Sequence, residues 1–192
     1  NICYKTALRM AHQIKILTAS AKPVELCGVI EADECFIGGL NRNRHADKKV
    51  PESQGRSTKD KTPVIGMIKR GGEIIANVVN DTSKNSLQGE INKAVVKDAS
   101  ILITDEWRGY RGMANSMNHV VINHAEKEFV RGAFHTNTIE GFWSQLKRTI
   151  KGTHIHVSKE HLQKYVDEVA FRYMHRDKQD TMFEIILSHV LF

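Results

Sequence analysis

The chain has 192 residues, of which 41% are hydrophobic and 26% are charged. These ordinary globular values exclude a disordered or fibrous protein and suit one domain with at most a small appendage. The formal net charge of +6 favours a polyanionic partner. No apolar run is long enough to cross a membrane and no signal peptide opens the sequence, so we expect a cytoplasmic protein without a membrane partner.

The three cysteines, Cys3, Cys27 and Cys35, form no CxxC pair. Neither a disulfide framework nor a zinc ribbon is therefore indicated, and reduced thiols are the simplest account. The sequence begins at Asn rather than Met, which suggests a piece of a longer protein.

The first half of the sequence predicts a helix followed by three antiparallel strands. Residues 4–19 have helical apolar spacing, and the run 24–39 is strand-like. Two further β-rich runs, 64–70 and 73–81, are joined by the glycine pair 71–72, which is a hairpin signal.

Three acids lie within the first predicted strand: Glu31, Asp33 and Glu34. A buried carboxylate is costly unless a positive group compensates it, so a central position would require a partner. The alternative is an edge strand with one solvated face. Strand alternation places Glu31 and Asp33 on the same side and does not choose between them.

The segment 40–62 is polar, basic and too long for a simple hairpin connection. It is either a solvated loop or an arm whose residues 42–61 contact phosphates.

The second half predicts alternating helices and strands. They are a helix over 83–96, an apolar strand over 101–107, a helix around 107–117, a strand over 119–124, and helices over 135–148, 158–176 and 181–192. An uninterrupted apolar strand that follows a helix is typical of an interior, parallel position. Asp105 then stands at the carboxyl end of a buried strand, where open α/β sheets bind ligands. The alternative is that Asp105 only caps a helix beginning at Glu106.

The helix 135–148 carries an apolar stripe with a charged flank. The stripe consists of Ile139, Phe142, Trp143, Leu146 and Ile150. Glu140 and Lys147 lie on its flank, about 10 Å apart along the axis. Taken alone, the pattern also fits an ordinary amphipathic helix with a solvated charged side.

This order of elements is that of a ribonuclease-H-like fold. It is an α/β fold whose mixed sheet has three antiparallel strands, then parallel strands, flanked by helices. In such a sheet Asp33, Asp105 and Glu140 converge at one end. Carboxylates there can hold two divalent cations about 3.5–4 Å apart, which activate the attacking oxygen and stabilise the leaving one.

Six segments carry a family resemblance. They are IEADECFIGG, KTPVIGMIKRGG, ITDEWRGYRGM, VINHAEKEFV, HTNTIEGFWSQLKR and YVDEVAFRYMHR. In order and spacing they resemble blocks of bacterial insertion-sequence DDE transposases, specifically the ISXO-type transposase domain, over about residues 25–176. One departure is Met174, where the family pattern has Asn.

The resemblance implies roles for individual residues. Asp33, Asp105 and Glu140 would be the catalytic acids and the ligands of two Mg²⁺ ions, for which Mn²⁺ can substitute. The residues implied in DNA binding are Lys147, Arg148 and Lys151. Those implied at the margin of the active site are His124, His135 and Asn137.

The resemblance also implies the domain organisation and the activity. Residues 1–22 would end an upstream helix-turn-helix module, 23–176 would form the catalytic domain, and 177–192 a helical extension. The implied activity is cleavage at transposon ends and strand transfer into target DNA, by a homo-oligomer on double-stranded DNA in the bacterial cytosol or nucleoid. The alternatives are a catalytically inactive DNA-binding remnant and a ribonuclease-H-like nuclease without strand transfer.

Overall fold

The computed structural model describes residues 1–20, 23, 25–39, 41, 44–126 and 130–189. Its helices are α1 Tyr4–Ala19, α2 Lys84–Ala94, α3 Asn137–Thr149, α4 Lys159–Met174 and α5 Met182–Ser188. Its strands are β1 Leu26–Gly38, β2 Lys61–Lys69, β3 Ile74–Val78, β4 Val95–Asp105, β5 Asn118–Ile122, β6 Val130–Arg131 and β7 Phe134–His135. Across these described ranges, no helix combines the length and the apolar character that a bilayer crossing requires.

Five strands form one mixed sheet in the order β3-β2-β1-β4-β5. β1 pairs antiparallel with β2, and β2 pairs antiparallel with β3. β4 runs parallel to β1, and β5 runs parallel to β4. The predicted fold class, a ribonuclease-H-like mixed sheet with three antiparallel strands followed by parallel ones, is therefore confirmed, and so is the hairpin at glycines 71–72, both of which have positive φ.

Helices cover the sheet on both faces and create two apolar cores. On one face α2 buries Leu87 and Ile91 beside Ile65 and Met67 of β2. On the other face α3 and α4 pack against the alternate strand residues. The predicted stripe of α3 is buried throughout: Ile139, Phe142, Trp143, Leu146 and Ile150. Burial of this stripe fixes the rotation of α3 about its axis, and with it the direction of the charged flank.

Gly66 allows α3 to approach the sheet closely. It lies in β2 directly opposite Asp33 of β1. A Cβ atom at Gly66 would lie 2.6 Å from Cη2 of Trp143 and 2.9 Å from Cδ1 of Ile139. The absence of a side chain at this position therefore makes room for the Trp143 indole above Asp33.

α1 packs mainly against α4 and also contacts α5. Lys15 is paired with Glu168, and its Nζ lies 4.8 Å from the ring centroid of Tyr165. His12 Nε2 lies 3.4 Å from the Tyr165 hydroxyl. That residues 1–22 end an upstream module stays a prediction.

Three local predictions differ from the structure. The helix expected around 107–117 is wrong, because that segment forms two 3₁₀ turns on either side of Gly112, whose φ of +88° is incompatible with an α-helix. The helix expected over 83–96 ends at Ala94, and the following two valines begin β4. The terminal helix is present over Met182–Ser188, while residues 190–192, like residues 40, 42 and 43 of the long loop, lie outside the described residues.

Candidate active site

The site forms where β1 continues past the end of β4. The parallel pairing of these strands ends with Glu31 opposite Ile103, and Asp33 and Asp105 each lie two residues further on. Among the described residues, carboxylate oxygens of Asp33, Glu34 and Asp105 lie within 4.8 Å of one another. We name these three residues the acid cluster. The structure thus joins two of the predicted acids and adds Glu34, to which the sequence assigned no role.

A cleft of about 370 Å³ lies in front of the acid cluster. Besides the cluster, its walls consist of His124, Thr136, Glu140, Trp143, Ser144 and Lys147. Glu140 lies in the first turn of α3, and its Oε1 accepts a hydrogen bond from the Thr136 hydroxyl at 3.1 Å. The third predicted acid therefore lines the same cleft without joining the acid cluster.

Asp33 is held by the indole of α3. Trp143 Nε1 donates to Asp33 Oδ2 at 3.0 Å. Burial raises the pKa of Asp33 to about 7, and repulsion from Glu34 and Asp105 adds to the rise. Ionisation of Asp33 is therefore costly in the metal-free site, and a bound cation would lower that cost.

The side chain of Glu34 projects from the face of β1 opposite to that of Asp33. It reaches the core that contains α2 and Tyr110. The hydroxyl of Tyr110 donates to Glu34 Oε2 at 2.7 Å, and burial is the main cause that raises the pKa of Glu34. Tyr110 is itself fully buried, and burial holds its pKa well above the ordinary value, so it remains a neutral donor.

Arg56 supplies the positive charge at the acid cluster. Its guanidinium donates to Glu34 Oε1 and, at 2.9 Å, to Asp105 Oδ2. The guanidinium carbon lies 4.1 Å from the ring centroid of Trp107. The backbone N–H of Trp107 donates to Asp105 Oδ1 at 3.0 Å. This bond closes a tight turn that leads into a 3₁₀ turn, so the alternative of an α-helix capped by Asp105 does not hold. Arg56 lies in the described part of the long loop 40–62. No pattern in the sequence indicates that it contacts carboxylates.

Glu31 has a different structural role from Asp33 and Glu34. Its carboxylate accepts hydrogen bonds from the backbone N–H groups of Thr138 and Ile139, at 2.9 and 3.1 Å, in the first turn of α3. Arg70 Nε also donates to it, at 3.1 Å, and the side chain is fully buried. A carboxylate at a helix N-terminus satisfies free N–H groups and opposes the positive end of the helix dipole. Glu31 therefore fixes the start of α3, and Asp33 and Glu34 face the cleft.

The remaining predicted residues occupy different parts of this region. His124 lines the cleft, with Nε2 3.4 Å from the Thr136 hydroxyl. His135 Nδ1 lies 3.4 Å from Glu31 Oε1, so His135 adjoins the α3 N-terminus. Asn137 begins α3 with an exposed side chain.

The predicted DNA-binding residues follow α3 away from the acids. Lys147 lines the cleft, and Arg148 is exposed beside it. Lys151 follows in the π-helical turn Ile150–His154. Met174, the departure from the family pattern, packs half-buried against the core beneath α4.

The donor set fits a hard divalent cation. Carboxylate oxygens are the ligands that Mg²⁺ and Mn²⁺ prefer, and here they converge in an open cleft rather than a closed cage. Arg56 already places a cationic group on two members of the acid cluster. The donor chemistry of the acid cluster, with Glu140 in the same cleft, therefore fits a divalent cation, and Arg56 would compete with that cation for oxygens of Glu34 and Asp105.

Comparison with known protein families identifies the family of the chain. Residues 25–174 match the family model described as the ISXO2-like transposase domain, which covers more than half of the chain. No curated protein sequence matches the chain.

Two solved structures are distantly similar to this chain. One is the Mos1 transposase paired-end complex with left transposon end, which is 14% identical with a TM-score of 0.34. The match covers 100% of this chain and 64% of the Mos1 chain. The cryo-EM structure of the simian T-cell lymphotropic virus intasome in complex with PP2A regulatory subunit B56 gamma is 9% identical, covers 76% of this chain and 49% of its own, and gives a TM-score of 0.40. This chain therefore spans 49% to 64% of the length of those relatives.

Proposed function

Because the chain belongs to the ISXO2-like transposase domain family, we propose that it catalyses metal-dependent phosphoryl transfer on DNA. The reaction is cleavage at the ends of a transposable element, followed by strand transfer into target DNA. The observation that carries the proposal is the acid cluster, which converges within 4.8 Å in a cleft that Glu140 and Lys147 also line.

Each group of the cleft has a part in this chemistry. Asp33, Asp105 and Glu140 are the proposed ligands of Mg²⁺, with Mn²⁺ as a substitute and two ions as the expected number. When bound, the ions supply activation of the attacking oxygen and neutralisation of charge on the leaving one. Trp143 orients Asp33 by its hydrogen bond, and Glu31 sets the position of Glu140 by fixing the first turn of α3.

Lys147 places positive charge at the wall of the cleft, where it can hold a phosphate next to the reacting one. Arg148 and Lys151 continue this charge along the same segment, and the net charge of +6 supports a DNA partner. The expected substrate is double-stranded DNA, both transposon ends and target. A homo-oligomer is expected because the two ends of the element must be joined together. The expected localisation is the bacterial cytosol or nucleoid.

Cleavage and joining of a labelled duplex that carries the terminal sequence of the element test the proposal. With Mg²⁺ or Mn²⁺ the wild type should nick and join, and Asp105→Asn and Glu140→Gln should each abolish both steps. Glu160→Gln is the matched control, because Glu160 is an exposed acid in the first turn of α4 as Glu140 is in α3.

The outcomes separate the alternatives. Metal-dependent nicking without joining would favour a nuclease of the same fold. DNA binding without nicking, and without Mn²⁺ binding that depends on Asp33, would favour an inactive remnant.

A further inference from the structure

A second groove adjoins the cleft. It has a volume of about 280 Å³ and lies between the end of β1, the start of β2 and the segment that follows α3. Lys147 lines both the cleft and the groove, so the two spaces meet at this side chain. A DNA strand held at the acid cluster can therefore continue into the groove past Lys147.

The groove combines an apolar floor with basic walls. Half-buried Phe36 and Val157 and the buried Ile150 provide apolar surface. The charged residues that line the groove are all basic: Lys61, Lys147 and Lys151. Basic walls suit a phosphate backbone, and an aromatic ring on an apolar floor suits the flat face of a base.

Ile155 protrudes at the edge of the groove in a strained conformation. Its φ is +61° and its ψ is −55°, and the residue is 84% exposed. The backbone N–H of His156 donates to the carbonyl of His154 at 2.6 Å, which closes a γ-turn centred on Ile155. This form of γ-turn is rare and strained, above all for a β-branched residue. The turn thus holds an apolar side chain out in solvent, where burial within the chain gives no reason for it.

We propose that the groove accepts an unstacked base of the DNA strand that occupies the cleft. In this proposal the side chain of Ile155 enters the base stack in the space that the displaced base leaves. The proposal rests on the proposed function, because it takes DNA as the substrate. Apolar wedges of this kind separate stacked bases in other DNA-binding proteins. The displaced base then lies against Phe36, and its flanking phosphates lie near Lys147 and Lys151. The site therefore recognises DNA that unpairs easily beside the scissile phosphate.

Binding to two fluorescein-labelled duplexes tests this proposal. They have the same sequence except that one carries a single central mismatch, which lowers the cost of unstacking. In fluorescence anisotropy the wild type should bind the mismatched duplex about tenfold more tightly. Ile155→Ala should reduce this ratio to about twofold or less, because the wedge is removed. Lys151→Ala should weaken binding to both duplexes to a similar extent and keep the ratio.

Two further variants distinguish a wedge from a structural role. Ile155→Gly removes the same side chain and relieves the positive φ, so it should raise the thermal midpoint while it loses the mismatch preference. Ile16→Ala removes an exposed isoleucine from α1, far along the chain, and should change neither property.

Each result has a definite meaning. A tenfold preference that both Ile155 variants lose would support the wedge and the base-accepting groove. Equal binding of the two duplexes by the wild type, or a preference that both Ile155 variants keep, would overturn this inference and leave the transposase proposal standing. Failure of the wild type to bind either duplex would overturn both.

Discussion

Replacement of Asp33 by Asn should make the metal-free protein more stable at pH 8. The side chain of Asp33 is half-buried beside Glu34 and Asp105, and desolvation, followed by repulsion from these two acids, raises its pKa from 3.8 to about 7. Asparagine keeps an acceptor for the Trp143 indole N–H but carries no charge. The substitution therefore removes the cost of a desolvated charge, together with its repulsion from the neighbouring acids, and leaves the hydrogen bond in place.

The magnitude follows from proton linkage. Between pH 4 and pH 7 the folded chain keeps a proton on Asp33 that the unfolded chain has released, so stability falls as pH rises through this window. Each pH unit is worth about 1.4 kcal/mol, and three units give an upper limit of about 4 kcal/mol. A gain of about 2–4 kcal/mol at pH 8 corresponds to a rise of about 5–15 °C in the thermal midpoint of a domain of this size. At pH 4 the gain should vanish, because the wild-type carboxyl is then protonated in the folded state.

Urea unfolding in EDTA at pH 4 and pH 8 measures this difference. Glu31→Gln is the matched comparison, an acid two residues away on the same face of β1. Because Glu31 is fully buried and paired with Arg70 and the α3 N-terminus, its loss should cost about 3 kcal/mol. If Asp33→Asn gave the same gain at both pH values, or none at pH 8, the argument from the desolvated and repelled charge of Asp33 would be wrong.

Two other predictions concern the surroundings of the acids. Arg56→Ala should lower the free energy of unfolding of the metal-free protein by about 2 kcal/mol, since charge-assisted hydrogen bonds to buried acids are lost. In calorimetric titration Arg56→Ala should also bind Mn²⁺ about tenfold more tightly, because the competing guanidinium is removed. Weaker binding of Mn²⁺ would contradict this prediction. So would an equal effect of Lys59→Ala, which removes another positive charge from the same loop. Gly66→Ala should cost about 1–3 kcal/mol and alter Trp143 fluorescence, because the new Cβ would lie 2.6 Å from the indole. Gly89→Ala, in a helix with open space around the added atom, should instead stabilise the fold slightly.

Much of the fold could be predicted from local patterns. The stripe of α3, the hairpin at glycines 71–72 and the interior position of β4 are all present in the structure. Each depends on the periodicity or turn chemistry of a short segment, which the sequence carries directly. The segment 107–117 shows the limit of such patterns, because Gly112 adopts a positive φ that no periodicity reveals and that stops an α-helix.

The sequence by itself determined that acids stand in a first strand, at the end of a second, apolar strand and on the flank of a helix, but it left open whether the first strand is central or at an edge. Only the tertiary structure decided their partners: Glu31 binds the α3 N-terminus, whereas Glu34 joins Asp33 and Asp105. Arg56 reaches that cluster from a loop with no regular pattern. The physical reason is that these contacts join residues far apart in the chain. They depend on the register between β1 and β4 and on the depth at which α3 packs over Gly66, and neither quantity is encoded in any one segment.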